Sequence, residues 1–143
     1  MTHINLAQSD AEIERCFPTM QLLRPHLVAS EFVTRIRRQQ QQGFHLAYLE
    51  DGGSIKAVAG FRIAESLSWG KFVYVDDLVT QERDRSQGYG SNLLNWLIDY
   101  AQANACQQLH LDSGVQRFAA HRFYFKQRLE IRAYHFTIEL SQM

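Results

Sequence analysis

The sequence is poor in cysteine and proline. Its 143 residues include two cysteines and two prolines. Cys16 and Cys106 stand far apart and match neither a disulfide framework nor a metal-binding spacing, which favours a reducing, cytoplasmic environment. Both prolines precede residue 26, so no proline-rich linker divides the chain. A chain of this length is therefore predicted to form a single domain over residues 1–143.

The sequence also lacks an excess of charge of either sign and long apolar runs. The 15 basic residues balance the 15 acidic ones, so no basic excess marks a nucleic-acid-binding protein. No apolar run approaches the ~20 residues needed to span a bilayer, and the first residues lack the pattern of a signal peptide. The histidines show no zinc-binding spacing. We expect no nucleic-acid partner, no membrane association and no metal.

The distribution of apolar and turn residues predicts an α+β fold. Helical spacing occurs over residues 10–20, 28–42, 90–104 and 118–127, and strand patterns occur over 3–6, 44–49, 54–64, 71–79, 108–112 and within 131–140. The run Glu50–Gly53 predicts a hairpin turn, because its glycines tolerate positive φ. The strand–helix–strand unit over 71–112 predicts a parallel pair of strands. The sheet is therefore expected to be mixed.

The segment Arg85–Gly90, with the sequence Arg-Ser-Gln-Gly-Tyr-Gly, lies between a predicted strand and a predicted helix. Gly88 and Gly90 permit backbone conformations closed to other residues and let a ligand approach closely. The first amides of a helix have no partner within it, and the helix dipole adds positive potential there. Arg85 adds a planar cation suited to phosphate. The turn is either a phosphate-binding loop or a loop that caps an ordinary surface helix.

The pattern Arg85-x-x-Gly88-x-Gly90 resembles the Gln/Arg-x-x-Gly-x-Gly/Ala signature of the GNAT family of N-acetyltransferases. Asp77, eight positions before Arg85, is similar to a residue of the family's fourth strand, and Ala120–Tyr124 resembles its later helix with a tyrosine. The similarity extends from about residue 3 to residue 140. It implies a mixed, mostly antiparallel sheet of six to seven strands with about four flanking helices.

The chain departs from the family pattern after the fifth strand. The family often has an asparagine there, whereas this chain has Ser113 and Gly114. The Gly-Phe pair that usually follows the tyrosine helix is Arg128-Leu129. The tail after Ile131 is short for two closing strands, so we expect one long strand or a cramped hairpin.

The resemblance implies acetyl-coenzyme A (acetyl-CoA) as the cosubstrate. Its pyrophosphate is expected on the amides of Ser86–Ser91, and its pantetheine arm is expected to pair with the strand backbone at Leu78 and Val79. The predicted cofactor-binding residues are Leu78, Val79, Arg85, Ser86, Gln87, Gly88, Tyr89, Gly90, Ser91 and Ser113.

The resemblance also implies two catalytic residues. Tyr124 is the predicted general acid for the departing thiolate, and Asp77 is the favoured base that takes a proton from the ammonium of the acceptor. Asp76, or water, stays open as an alternative base. Because Asp76 and Asp77 are adjacent on a predicted strand, their side chains are expected on opposite faces of the sheet.

The predicted activity is transfer of an acetyl group from acetyl-CoA to a primary amine. The acceptor is a small molecule or a protein amine, and the sequence does not name it. A binding module that senses acyl-CoA with little or no turnover is the alternative. Exposed edge strands favour a homodimer.

Overall fold

Four α-helices and five β-strands form the computed structural model, which describes residues 1–142 apart from the side chains of Glu82 and Gln142. The helices are α1 (Asp10–Leu23), α2 (Ala29–Gln40), α3 (Tyr89–Ala103) and α4 (Phe118–Lys126). The strands are β1 (Thr2–Leu6), β2 (Phe44–Asp51), β3 (Ser54–Ser66), β4 (Gly70–Thr80) and β5 (Gln108–Leu111). Short 3-10 turns lie at Glu82–Asp84 and Leu140–Gln142. No helix in the described part of the chain is long and apolar enough to cross a membrane.

The five strands form one mixed sheet in the order β1-β2-β3-β4-β5. The first three pairs are antiparallel, and β4 pairs with β5 in parallel after the crossover through α3. The α+β class and the mixed sheet are confirmed, as are the four helices within residues 1–142. The expected six to seven strands are not found, since the sheet of the described residues has five.

The missing strand is the one predicted within residues 131–140. Residues 131–139 have no regular secondary structure and their side chains are exposed, including Tyr134, Phe136 and Ile138. Their apolar residues alternate with a period of two, which is the period of a strand. A strand also needs a backbone partner, however, and in residues 1–142 the edge strand β5 is paired only with β4. The prediction was wrong because alternation alone does not supply that partner.

The chain divides into two compact units, one over Met1–Leu111 and the other from Asp112 onward. The first unit contains the whole sheet together with α1, α2 and α3. The second contains α4 and the tail. Within the second unit, the Nε2 atom of His121 lies 2.8 Å from the carbonyl oxygen of Gly114.

In the first unit, helices cover both faces of the sheet. On one face, α1 and α2 bury Ile13 and Phe32 in a common core with Leu46 of β2. On the other face, Phe61 of β3 packs edge-on against Trp96 and Tyr100 of α3. Apolar burial on both faces therefore fixes the sheet between its helices.

Cys16 of α1 lies in the first of these cores and has no exposed surface. Burial raises the pKa of its thiol to about 12, because the charged thiolate loses its hydration in an apolar environment. Cys16 is a free cysteine, as is the half-buried Cys106. The thiol of Cys16 therefore acts as an apolar packing group.

A β-bulge interrupts β4 where it faces β3. Gly60 is opposite Asp77, but the next residue of β3, Phe61, is opposite Val75. Asp76 is thus an extra residue with no counterpart on β3. One extra residue bends the strand and resets the alternation of side chains beyond it.

Gly60 makes room for two neighbours at this bulge. A Cβ atom placed on Gly60 would lie 2.5 Å from Cζ of Phe44 and 2.6 Å from Oδ2 of Asp77. Real Cβ contacts are not that short, so any side chain at Gly60 must displace the Phe44 ring or the Asp77 carboxylate. The absence of a side chain at Gly60 therefore sets the positions of both groups.

We expect Gly60→Ala to destabilise the fold by about 1–3 kcal/mol, the usual range for overpacking a buried site. Urea unfolding of both proteins measures this loss. In a Phe44→Leu background the same substitution should cost less, because the ring atoms nearest to the new Cβ are gone. An unchanged unfolding midpoint for Gly60→Ala would show that Gly60 is not tightly packed.

Candidate active site

A cavity of about 180 Å³ lies between α1, α2 and the bulged part of β4. Its apolar lining consists of Met20, Leu27, Phe32, Ile36 and Phe44. Its polar lining consists of Arg35, Gln39, Asp76 and Asp77. The cavity therefore combines apolar walls with carboxylates that can attract a cation.

Asp76 and Asp77 both line this cavity. The expectation that they point to opposite faces of the sheet was wrong. It assumed regular alternation along β4, whereas the bulge inserts Asp76 as an extra residue. Two consecutive carboxylates therefore lie on one side of the sheet.

Arg24, just beyond the end of α1, holds Asp77. Its Nε donates a hydrogen bond of 2.8 Å to Oδ1 of Asp77, and its Nη2 donates one of 3.0 Å to the carbonyl oxygen of Asp76. Burial raises the pKa of the Asp77 carboxyl above its ordinary value, against the opposing influence of Arg24. The carboxylate is thus held in place and is a stronger base than an exposed aspartate.

Arg62 of β3 holds the second carboxylate. Its Nε donates a hydrogen bond of 2.7 Å to Oδ2 of Asp76, and its Nη2 donates a longer one of 3.4 Å to Oε1 of Gln39. The guanidinium carbon also lies 5.4 Å from the centre of the Phe44 ring, within cation–π range. Both aspartates of the cavity are therefore already paired with arginine.

The glycine-rich turn leads directly into α3. Gly88 is the N-cap residue and has a φ of +83°, a conformation that favours glycine as predicted, whereas Gly90 lies within α3. Ser86 also has a positive φ, of +77°, which is a strained conformation for a residue with a side chain. Space beside Gly88 is open, since nothing lies within 4 Å of a Cβ built there.

Amides at the start of α3 are available to a ligand. The first backbone hydrogen bond of the helix runs from the amide of Asn92 to the carbonyl oxygen of Gly88. The amides of Tyr89 and Gly90 precede it and have no acceptor within the helix. Arg85 is exposed and forms no ion pair with the described side chains. The turn thus has the donors and the charge that an anion requires.

Two contacts anchor this turn to the rest of the first unit. The hydroxyl of Tyr89 donates a hydrogen bond of 2.7 Å to Oδ2 of Asp51 in the β2–β3 hairpin. Asp84, which precedes the turn, is 3.7 Å from the ammonium of Lys56 on β3. Both partners of the latter pair are largely buried, so the start of the turn is fixed against the sheet.

The pairing between β4 and β5 ends at the bulge. Their parallel pairing covers Phe72–Val75 and ends where β5 ends, at Leu111. Beyond it, β4 continues through Leu78 and Val79 to Thr80, paired with β3 on one edge. Its other edge has no strand partner in residues 1–142. A ligand with amide groups can pair with that backbone as an added strand.

The first unit brings together most of the predicted site residues. It contains Asp77, Leu78 and Val79 on β4, and the run Arg85–Ser91 in the turn and the first turn of α3. Ser113 and Tyr124 belong to the second unit. Burial raises the pKa of the Tyr124 hydroxyl, and the Ser113 hydroxyl is buried without a hydrogen-bond partner among the described residues.

Three arginines of the site were not predicted from the sequence. Arg24 and Arg62 bind the carboxylates, and Arg35 lines the cavity. A signal for Arg35 was present, because it follows Phe32 by three positions and so lies on the inward face of α2. The other two positions carried no comparable signal, since pairing across 14 or 53 residues depends on the fold.

Comparison with known proteins decides the family. The sequence model of the acetyltransferase (GNAT) family matches residues 10–129. This chain belongs to the GNAT family of acetyltransferases. The predicted family and enzyme class are confirmed, and GNAT enzymes in general use acetyl-CoA as cosubstrate.

A curated relative supports the same assignment. An uncharacterised N-acetyltransferase of Bacillus subtilis (strain 168) is 33% identical over 125 residues, which cover 87% of this chain and 88% of that protein.

Solved structures of GNAT-like fold are more distant in sequence. A transcriptional regulator from Bacillus halodurans C-125 superposes with a TM-score of 0.85 at 18% identity, covering 98% of this chain and 100% of that one. Glucosamine-6-phosphate N-acetyltransferase from Arabidopsis thaliana superposes with a TM-score of 0.79 at 18% identity, covering 98% and 99%. At such identities these two similarities establish the fold.

The raised pKa of Asp77 predicts a pH dependence of stability. A folded-state pKa above the unfolded one means that the folded protein holds this proton more tightly. The free energy of unfolding of the wild type, relative to Asp77→Asn, should therefore fall as the pH rises through the ordinary aspartate range near about pH 4 and on to the higher folded-state value. Urea titrations of both proteins at several pH values measure this difference. A difference that rises with pH would mean that Arg24 outweighs burial.

Proposed function

We propose that this enzyme transfers the acetyl group of acetyl-CoA to a primary amine that binds in the cavity between α1, α2 and β4. The observation that carries the proposal is the arrangement of the first unit. Three features lie along or beside the segment from Asp76 to Ser91. They are the open start of α3, the unpaired edge of β4 and the cavity with its two carboxylates. Each feature matches one part of the reaction: the anion, the amide-rich arm and the amine.

The turn before α3 is the proposed site for the pyrophosphate. Within Ser86–Ser91 the amides of Tyr89 and Gly90 are the proposed main donors, since the amide of Gln87 already donates to the carbonyl oxygen of Asp84 at 3.3 Å. Arg85 supplies a charge that no described carboxylate neutralises. The positive φ of Gly88 and the open space beside it fit close approach of a phosphate group. Tyr89 contributes by tying the turn to Asp51.

The free edge of β4 is the proposed site for the pantetheine arm. Leu78 and Val79 provide backbone groups on an edge that β5 does not reach. An amide of this segment is also suited to stabilise the negative charge that develops on the thioester oxygen. Ser113 is proposed as a further cofactor contact from the family resemblance.

Acetyl-CoA supplies an acetyl group that is activated as a thioester. Asp77 is the proposed base: its carboxylate attracts the ammonium of the acceptor and takes a proton, which frees the nitrogen lone pair to form the new carbon–nitrogen bond. Its raised pKa favours this step, because a carboxylate that binds protons more tightly is a better base. Asp76, which lines the same cavity, is the alternative base.

Tyr124 is the proposed acid. Its hydroxyl proton passes to the sulfur as the carbon–sulfur bond breaks, so that free coenzyme A leaves as the thiol. The second proton that the nitrogen loses as the amide forms returns Tyr124 to its neutral state. The hydroxyl of a tyrosine carries its proton at neutral pH, and burial raises the pKa of Tyr124 further. Because Tyr124 lies beyond Leu111, the mechanism requires that residues 1–143 act as one acetyltransferase domain. The family match supports this, since residues 10–129 include parts of both units.

The turn is tested by a matched pair of substitutions, Gly90→Asp and Gly90→Asn. Both add similar bulk in the first turn of α3, but only the aspartate adds negative charge. We expect Gly90→Asp to bind coenzyme A about tenfold more weakly than Gly90→Asn, because of repulsion between the carboxylate and the pyrophosphate. Calorimetric titration measures both affinities.

High salt should reduce the difference in coenzyme A affinity between the two variants, because it screens the repulsion between the carboxylate and the pyrophosphate. Unfolding of α3 does not explain weaker coenzyme A binding by Gly90→Asp, because an acidic residue in the first turn stabilises a helix. Equal affinities for the two variants would exclude the pyrophosphate from this turn.

The role of Tyr124 is tested by Tyr124→Phe, with the rate of coenzyme A release measured against a panel of primary amines. We expect kcat to fall about 10²-fold, the lower end for loss of a general acid, while the affinity for coenzyme A stays near that of the wild type. Equal kcat values would show that the thiolate leaves without this proton. Tight cofactor binding by the wild type without release for any amine would instead favour a sensor over an enzyme.

A further inference from the structure

Among the described residues, Arg35 is the one guanidinium group that lines the cavity directly. It is half-buried on α2, on the helix face that also carries Phe32, Ile36 and Gln39. No carboxylate among the described side chains lies within ion-pair distance of it, although Glu31 stands one turn earlier on the same helix. A cation in this position is unusual on the inward side of an amphipathic helix, where apolar residues normally lie.

The other charges of the cavity are balanced. Asp77 is paired with Arg24, and Asp76 is paired with Arg62, at 2.8 and 2.7 Å. Arg35 is therefore a third guanidinium group beside two carboxylates. A ligand that carries only a positive charge leaves Arg35 without a counter-ion, whereas a ligand that also has a carboxylate group supplies one. Partly buried charges bind best where each meets an opposite charge.

The remaining lining specifies what lies between those two charges. Met20, Leu27, Phe32, Ile36 and Phe44 provide apolar surface around a space of about 180 Å³. Burial of a matching apolar group in such a space is favourable, whereas a polar group without hydrogen-bond partners is not. The volume suits a small molecule.

We propose that the amine acceptor is an α-amino acid with an apolar side chain, whose carboxylate binds Arg35, whose ammonium group faces Asp77, and whose side chain packs among the apolar lining. The proposal rests on the proposed function, because it names the acceptor class of that same cavity. It gives Arg35 a role in selecting the substrate.

The experiment compares L-leucine with L-leucinamide, which has the same amine and side chain but no carboxylate charge. Coenzyme A release is measured with saturating acetyl-CoA for each acceptor. Binding of each acceptor is measured separately by calorimetry in the presence of coenzyme A. We expect L-leucine to exceed L-leucinamide about tenfold or more in kcat/KM and in affinity, which is the typical contribution of a charge-assisted hydrogen bond.

Two variants of α2 localise the effect. Arg35→Gln should reduce the preference for L-leucine over L-leucinamide to near unity. Arg38→Gln is the matched control, because Arg38 is exposed on the same helix and does not line the cavity; it should keep the wild-type preference. Circular dichroism confirms that each variant is folded, and the comparison within the wild type stands on its own if Arg35→Gln does not fold.

The outcomes separate the two proposals. Turnover of amines without preference for L-leucine, or a preference that Arg35→Gln retains, overturns the amino-acid assignment and leaves the acetyltransferase activity intact. Selective binding of L-leucine without any turnover supports the role of Arg35 and contradicts the proposed reaction. Neither binding nor turnover of any amine contradicts both.

Discussion

The bulge at Asp76 is the constraint on which the site depends. A single extra residue in β4, relative to β3, brings Asp76 and Asp77 to the same side of the sheet. The pairing of β4 with β5 ends at the residue before it, so the far half of β4 has a free backbone edge. A regular strand would place one carboxylate in the opposite core, where an unpaired charge is costly. One local irregularity thus creates both the acidic end of the cavity and the opening beside it.

Arginine pairing makes this arrangement tolerable. Consecutive carboxylates repel each other, and burial disfavours the charged form of each. Arg24 reaches the bulge from the end of α1, and Arg62 reaches it from β3. The ion pairs therefore connect a helix and two strands, so the geometry of the cavity depends on how α1 and β3 pack. The cavity is a product of the core, and the residues that line it are spread from Met20 to Asp77.

The sequence predicts those parts of the fold that depend on local pattern. Apolar periodicity predicted the four helices, and the glycine-rich turn predicted a start of α3 at Gly90, one residue after the observed start at Tyr89. Features that depend on partners across the sheet were not predicted. The bulge is one extra residue of β4 relative to β3, and Gly60, a glycine inside the predicted strand, was the one local signal for it. Residues 131–139, with their alternating apolar side chains, have no strand partner among the described residues. The pairing of Arg24 and Arg62 with Asp77 and Asp76 depends on tertiary packing. Residue roles at Ser113 and Tyr124 stay predictions from family resemblance.

The complete burial of Cys16 affects assays that follow the release of coenzyme A with a coloured thiol reagent, because such reagents also react with accessible cysteines of the enzyme. Disulfide reagents that report thiols react with the thiolate and need access to it. A thiol with a pKa of about 12 and no exposed surface meets neither requirement while the protein is folded. Background labelling of the native enzyme is then confined to Cys106, the second free cysteine of the chain. Denaturation uncovers Cys16, so the number of reactive thiols per chain also reports the fraction of molecules that have unfolded.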